Sequence, residues 1–186
     1  MNGMESPRVT SYLVCAKRCL FTCCFIGLIT ANSWADELLR ESVLPLSLAT
    51  KAAHASVDKC LADGYRVSVT VVDRGGNIRA VLRQDGAGSH TLESSRKKAY
   101  SSASLRQPTE KLAGLVAKMP ALQGLHRMNE HMLLLAGGLP IVLGGEVVGG
   151  IGVGGAPGGH LDVACAQAGL NRIGADSTQK AAKSGQ

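Results

Sequence analysis

The sequence predicts an α+β domain in which helices flank a five-stranded antiparallel sheet. Two observations carry this. Strand-like stretches follow one another across turns of a few residues, too short for the crossover that a parallel pair needs. Segments of helical period open, interrupt and close that series. The order along the chain is helix, two strands, two helices, three short strands, helix, and there is no internal repeat.

From Leu46 to Asp63 the apolar residues Leu48, Ala52, Ala55, Val57, Cys60 and Leu61 recur at roughly helical spacing. Gly64 follows where a left-handed residue ends a helix. Arg66 to Val72 alternates and is β-branched, the pattern of a half-buried strand. Asp73-Arg74-Gly75-Gly76-Asn77 turns the chain into a second strand, Ile78 to Arg83, and Gln84 to Ser89 is a loop. A helix is expected from His90 to Leu105, with Ser89 as the N-cap whose hydroxyl satisfies a first-turn amide. Gln107-Pro108 stops it, and a shorter helix runs from Thr109 to Lys118. Pro120 to Glu130 has no clean period. His131 to Ala136 reads as an apolar strand, Gly137-Gly138-Leu139-Pro140 as a turn, and Ile141 to Leu143 as a brief strand. Gly144-Gly145 turns into Glu146 to Val153, where bare glycine backbone permits close approach by a ligand or another chain. Leu161 to Ile173 is the last helix, ended by Gly174.

The organisation around this domain is read from composition. Arg8, Lys17 and Arg18 precede an apolar run from Cys19 to Ala31, and Ser33-Trp34-Ala35 supplies small residues at the positions a signal peptidase reads. Residues 1–35 are therefore expected to be a signal peptide, 36–174 the domain and 175–186 a flexible tail, with an uncleaved anchor as the competing reading of the leader. The run is short for a membrane span, and no second apolar run of about 18 residues follows. The exported form is thus expected in the periplasm or outside the cell, without a span. The net charge of +6 is mild, and only Arg96-Lys97-Lys98 cluster, on what reads as a solvated helix face. With no aromatics between the basic residues, no nucleic-acid partner is expected. Cys15, Cys19, Cys23 and Cys24 belong to the leader, leaving Cys60 and Cys165. In an oxidising compartment these two either pair or remain as buried thiols on helix faces.

No catalytic motif stands out. The histidines are His54, His90, His126, His131 and His160, and no pair has the spacing of a zinc protease. The Gly-x-Ser-x-Gly nucleophile elbow is absent. The glycines of the 150s do not form a dinucleotide-binding turn, since no acidic residue follows a second strand. His54, in the first helix, is either a satisfied helix histidine or an axial iron ligand. His90 starts a helix after a glycine-rich loop, where capping or anion contact is the plain reading. His131 marks the edge of an apolar stretch. His160, beside Asp162, opens the last helix, whose free amides favour an anion such as a carboxylate.

Several segments together resemble one family. They are Val69-Thr-Val-Val-Asp73-Arg74-x-Gly76, Asp85-Gly86-Ala87-Gly88, Lys98-Ala99-Tyr100, Pro108-Thr109, Gly137-Gly138-Leu139-Pro140-Ile141 and Gly149-x-Ile151-Gly152-Val153-Gly154-Gly155-Ala156-Pro157. In this order and spacing they resemble the GlcG/HbpS family, over roughly Leu46 to Ile173. That family includes extracellular haem-binding proteins and a carboxy-terminal domain fused to some cobalamin adenosyltransferases. The resemblance implies an α+β fold with a central antiparallel sheet and an exported haem-binding protein active in haem or iron sensing or handling. It implies a homo-oligomer in which the glycine-rich strand and the Gly137–Pro140 turn line an interface, and a sensor partner protein. Carried onto this chain, it points to His54, His90, His131, Gly138 and Pro140 as cofactor-binding residues, with His54 as the iron contact. With Tyr65 and Tyr100 the only aromatics after the leader, a shallow or interfacial haem site is expected. The alternatives are an enzyme that degrades haem or acts on another small cofactor, and a non-enzymatic oligomeric module that binds a partner protein.

Overall fold

Alternation along one strand sets the layers of the domain. In the computed structural model, which describes residues 40–178, β1 (Ser68–Asp73) lies inside an antiparallel sheet of order β2-β1-β4-β3. The other strands are β2 (Ile78–Arg83), β3 (Gly138–Leu143) and β4 (Glu146–Gly154). Four α-helices accompany them: α1 (Leu46–Ala62), α2 (His90–Leu105), α3 (Thr109–Lys118) and α4 (Gly159–Arg172); a 3-10 helix spans Pro120–Arg127. Successive strand side chains point to opposite faces. Val69 and Val71 therefore enter an apolar core with α1 and α4, whereas Ser68 and Thr70 meet α2.

The apolar layer is built from small helix residues against branched strand residues. Ala49, Ala52, Ala53 and Cys60 of α1 and Cys165, Ala166 and Leu170 of α4 close over Val69, Val71, Ile151 and Val153. The two helices approach closely at Gly169, where an added Cβ would run into the Ala52 carbonyl. At this separation Cys60 and Cys165 are bonded as a disulfide, with Cα atoms 5.5 Å apart. Helix packing thus decides the pairing that the sequence left open.

The opposite face is covered by α2, which rides on a glycine track. A Cβ at Gly150, Gly152 or Gly154 would strike the Ala99 carbonyl, the Ser95 carbonyl or the Ser94 hydroxyl, respectively. The bare strand admits the chain's own helix, which corrects the expectation that β4 lines an assembly interface there. Hydroxyl pairs replace apolar contacts in this layer. Ser68 Oγ lies 2.7 Å from Thr91 Oγ1, and Thr70 Oγ1 lies 2.8 Å from Ser95 Oγ. Buried hydroxyls without such partners would each cost about 1–3 kcal/mol.

Among the described residues the sheet has four strands, not five. The segment 131–136 is apolar but joins no ladder, because side chains of the helices satisfy its backbone. The Leu133 amide donates to Ser101 Oγ at 2.8 Å, and the Leu135 carbonyl accepts from Thr109 Oγ1 at 2.7 Å. The expected turn at Gly137–Pro140 is instead largely strand: Gly138, Leu139 and Pro140 belong to β3 and pair with Gly152, Ile151 and Gly150. Proline is tolerated because β3 is an edge strand. Ser89 is helical in backbone and makes no capping bond; Thr91 Oγ1 donates to the Gly88 carbonyl at 2.6 Å instead. Lys98, expected on a solvated face, is 2% exposed.

The leader expected at 1–35 lies outside the described residues, as does the end of the tail beyond 178. The start of that tail is held: Asp176 exchanges two backbone hydrogen bonds of 3.0 Å with Val142. Among the described residues, no helix is long and apolar enough to cross a membrane.

Candidate functional site

A cleft of about 380 Å³ opens where the second half of α1 faces the end of β2 and the loop after it. Its lining combines Val57 and Leu61 with Arg66, Arg83, Gln84 and Asp85. Helical spacing places His54 on the same stripe of α1, three residues before Val57 and seven before Leu61. His54 is solvent-exposed, and its neighbours Ala52 and Ala53 carry the buried side of the helix.

The polar half of the cleft is held in place by the fold. Arg83 donates from Nε and Nη2 to the Ala87 carbonyl, at 3.1 and 2.5 Å. Gln84 Oε1 accepts from the Val67 amide at 2.8 Å, which leaves its own amide hydrogens for another acceptor. Arg66 is exposed and has no hydrogen bond or ion pair among the described residues. Two guanidinium groups beside an apolar helix stripe suit a carboxylate carried on a flat apolar body. Asp85 lines the same cleft and adds a carboxylate beside the two arginines.

The other residues expected at the site are dispersed. His90 is exposed at the start of α2 with its ring over Gly88, where an added Cβ would meet the imidazole. His131 lies across the molecule's other helix surface, its Nδ1 facing Arg96 Nη1 and Nη2 at 3.4 Å and its ring edge-on to Tyr100 at 5.6 Å. Because a guanidinium only donates, Nδ1 is the accepting nitrogen there, and Nε2 faces Glu130 at 3.7 Å. Arg96 also binds Glu93 at 2.9 Å and holds that carboxyl below its usual pKa. Gly138 and Pro140 are buried within β3, and a Cβ on Gly138 would meet the Lys98 carbonyl and Thr109.

A buried ion pair anchors the middle of α2. Lys98 Nζ donates to Asp162 Oδ2 at 2.8 Å and to the Val153 carbonyl at 2.9 Å, while Asp162 Oδ1 accepts from the Ala156 amide at 3.1 Å. Burial pushes the Asp162 carboxyl above its ordinary range, opposed by Lys98. Sequence reading missed this pair because 64 residues separate its members and Lys98 sits in a basic run.

A second cavity, of about 370 Å³, lies beside α3 and is lined by Ala113, Val116, Ala117, His126, Met132, Leu133 and Leu134. His126 is not singled out among the histidines as a site residue by sequence, because the stretch after Pro120 follows the three-residue turn of a 3-10 helix rather than a helical or strand period. Among the described residues, no group of three or more His, Cys, Asp and Glu side chains is placed to hold a metal ion.

Comparison with known proteins gives a consistent family. The family model described as "Haem degrading protein HbpS-like" matches residues 44–171. A double mutant of Streptomyces reticuli HbpS is 44% identical, with a TM-score of 0.68 over 73% of this chain and 90% of that one. Klebsiella pneumoniae protein ORFY is 30% identical, with a TM-score of 0.71 over 74% and 95% of the two chains. The PduOC chain of a PduOC:heme complex shares the fold at 23% identity, with a TM-score of 0.69 over 74% of this chain and all of that one.

Proposed function

The chain belongs to the HbpS-like family, and from that premise we propose that it is an exported, haem-binding protein that holds haem in the α1–β2 cleft. The observation that carries the reading is the lining of that cleft. Val57 and Leu61 offer an apolar wall, Arg66 and Arg83 offer two guanidinium groups, and His54 stands on the same helix stripe. A porphyrin edge meets these demands together. Val57 and Leu61 would face the porphyrin, Arg66, Arg83 and the amide of Gln84 would hold its propionates, and His54 would offer an imidazole to iron. Bound haem would supply an iron centre for ligand exchange or electron transfer; the protein supplies orientation and charge. The cleft is open, in keeping with the low aromatic content, and covers only part of such a ligand.

Export to the periplasm or beyond is supported by the basic and apolar leader and by the Cys60–Cys165 disulfide, a bond that persists in oxidising compartments. Assembly into a homo-oligomer is part of the reading. Ile78 and Val81 on the edge strand β2 remain 54% and 40% exposed, an apolar edge that a second copy could cover. Haem degradation is the second reading, favoured by the family's description.

Titration of the purified protein with hemin tests the proposal. A saturable Soret shift at micromolar hemin is expected. His54→Ala should change the Soret maximum, and Arg66→Gln with Arg83→Gln should weaken binding by about 10-fold or more, the loss of charged hydrogen bonds worth about 1.5–3 kcal/mol each. No saturable shift would sink the proposal. Loss of the Soret band with reductant and oxygen, only when the protein is present, would favour the degrading enzyme.

A further inference from the structure

Every methionine beyond residue 4 lies between Met119 and Met132, the third being Met128, and two of the five histidines, His126 and His131, fall in the same stretch. The rest of the described apolar core is made of Ala, Val, Leu, Ile and the Cys60–Cys165 disulfide, without methionine. Packing alone does not call for this concentration, because Met119 and Met128 are 48% and 61% exposed. Met132 is buried and lines the cavity beside α3, and His126 lines the same cavity.

The chemistry of that lining is selective. A thioether is a soft, uncharged ligand, and an imidazole joins it readily on copper. No carboxylate lines the cavity, so hard cations that want oxygen ligands find none. No thiolate competes among the described residues, because Cys60 and Cys165 are joined. Ala113, Val116, Ala117, Leu133 and Leu134 supply an apolar wall, which favours a singly charged ion over a doubly charged one. Met128, two residues beyond His126, is 61% exposed and has a flexible side chain with three rotatable bonds.

We propose that the cavity beside α3 binds Cu(I) through His126 and Met132, with Met128 as a third ligand. The site is separate from the α1–β2 cleft and does not depend on haem binding.

The test uses the full chain with Cys15, Cys19, Cys23 and Cys24 replaced by Ser, so that no free thiol binds copper. Ascorbate-reduced copper is added without oxygen, and bathocuproine disulfonate competes for it colorimetrically. One equivalent of Cu(I) should be withheld, and X-ray absorption should show both sulfur and nitrogen neighbours. Met132→Leu, which conserves volume and should leave the circular dichroism unchanged, and His126→Ala should each weaken binding at least 10-fold. Met128→Leu, at an exposed position, should weaken it without any risk to the fold, and Met119→Leu should leave it unchanged. Failure to withhold copper overturns the proposal, as does equal affinity in the His126→Ala and Met132→Leu proteins. Zn(II) held as tightly as Cu(I) also overturns it. A change in the hemin Soret spectrum on Met132→Leu would assign the cavity to haem and overturn it too, whereas loss of the hemin shift in His54→Ala alone leaves it standing.

Discussion

The two faces of the sheet are made by the same strands yet hold together by different physics. On the α1–α4 face, valines, isoleucines and alanines exclude water, and a disulfide ties the helices to each other. On the α2 face, the apolar cluster shrinks to Val72, Ala99 and Ala103, and paired hydroxyls and the Lys98–Asp162 pair fill the rest. The first layer is non-directional and accepts apolar swaps that conserve volume. The second depends on partners being present, because removing one member leaves a buried polar group unsatisfied. The candidate cleft borders the first layer, on the exposed flank of α1; the second layer is sealed against ligands by α2.

This contrast makes distinct demands under mutation. Opening the disulfide with Cys60→Ser and Cys165→Ser together should give the largest loss, about 4–5 kcal/mol in the chain-entropy model for a loop of 105 residues. Urea unfolding measures it; a loss below 1 kcal/mol would mean that apolar packing alone holds α1 to α4. Lys98→Met should cost about 3–5 kcal/mol by stranding the Asp162 carboxylate, and adding Asp162→Leu should recover most of that loss. A double variant no better than the single one would refute the reading of a pair whose members depend on each other.

The pH dependence sharpens the same point. A carboxyl whose pKa is raised by folding binds its proton more readily in the folded state. Its contribution to stability therefore grows as pH falls through the raised pKa and shrinks as pH rises. The deficit of Lys98→Met should accordingly narrow in acid, where Asp162 becomes neutral, and unfolding curves across the acid range would show it. Gly152→Ala should have the smallest effect of the series, about 1–3 kcal/mol, by pushing α2 from the sheet. An unchanged midpoint would show that α2 yields more easily than the Ser95 and Ala99 backbone contacts imply.

Local pattern was most legible where one face is apolar and the other polar. The α1 and α4 periods and the β1–β2 hairpin appear in the structure close to where alternation and spacing put them. The segment 131–136 misled because its apolar residues are held by Ser101 and Thr109, positions that local periodicity does not connect. Of the site residues, His54 gains Val57 and Leu61 as companions from helical spacing alone. Arg66 and Arg83 join them only because the β1–β2 hairpin folds back beside α1.

By itself the sequence determined the α+β class, the antiparallel sense of the strands and the family, because short turns, alternation and motif order are local or ordered along the chain. Tertiary structure alone decided that Cys60 meets Cys165, that Lys98 meets Asp162, and that Gly150, Gly152 and Gly154 admit α2 rather than a ligand. These are contacts between residues far apart in the chain, and close packing rather than local preference selects them.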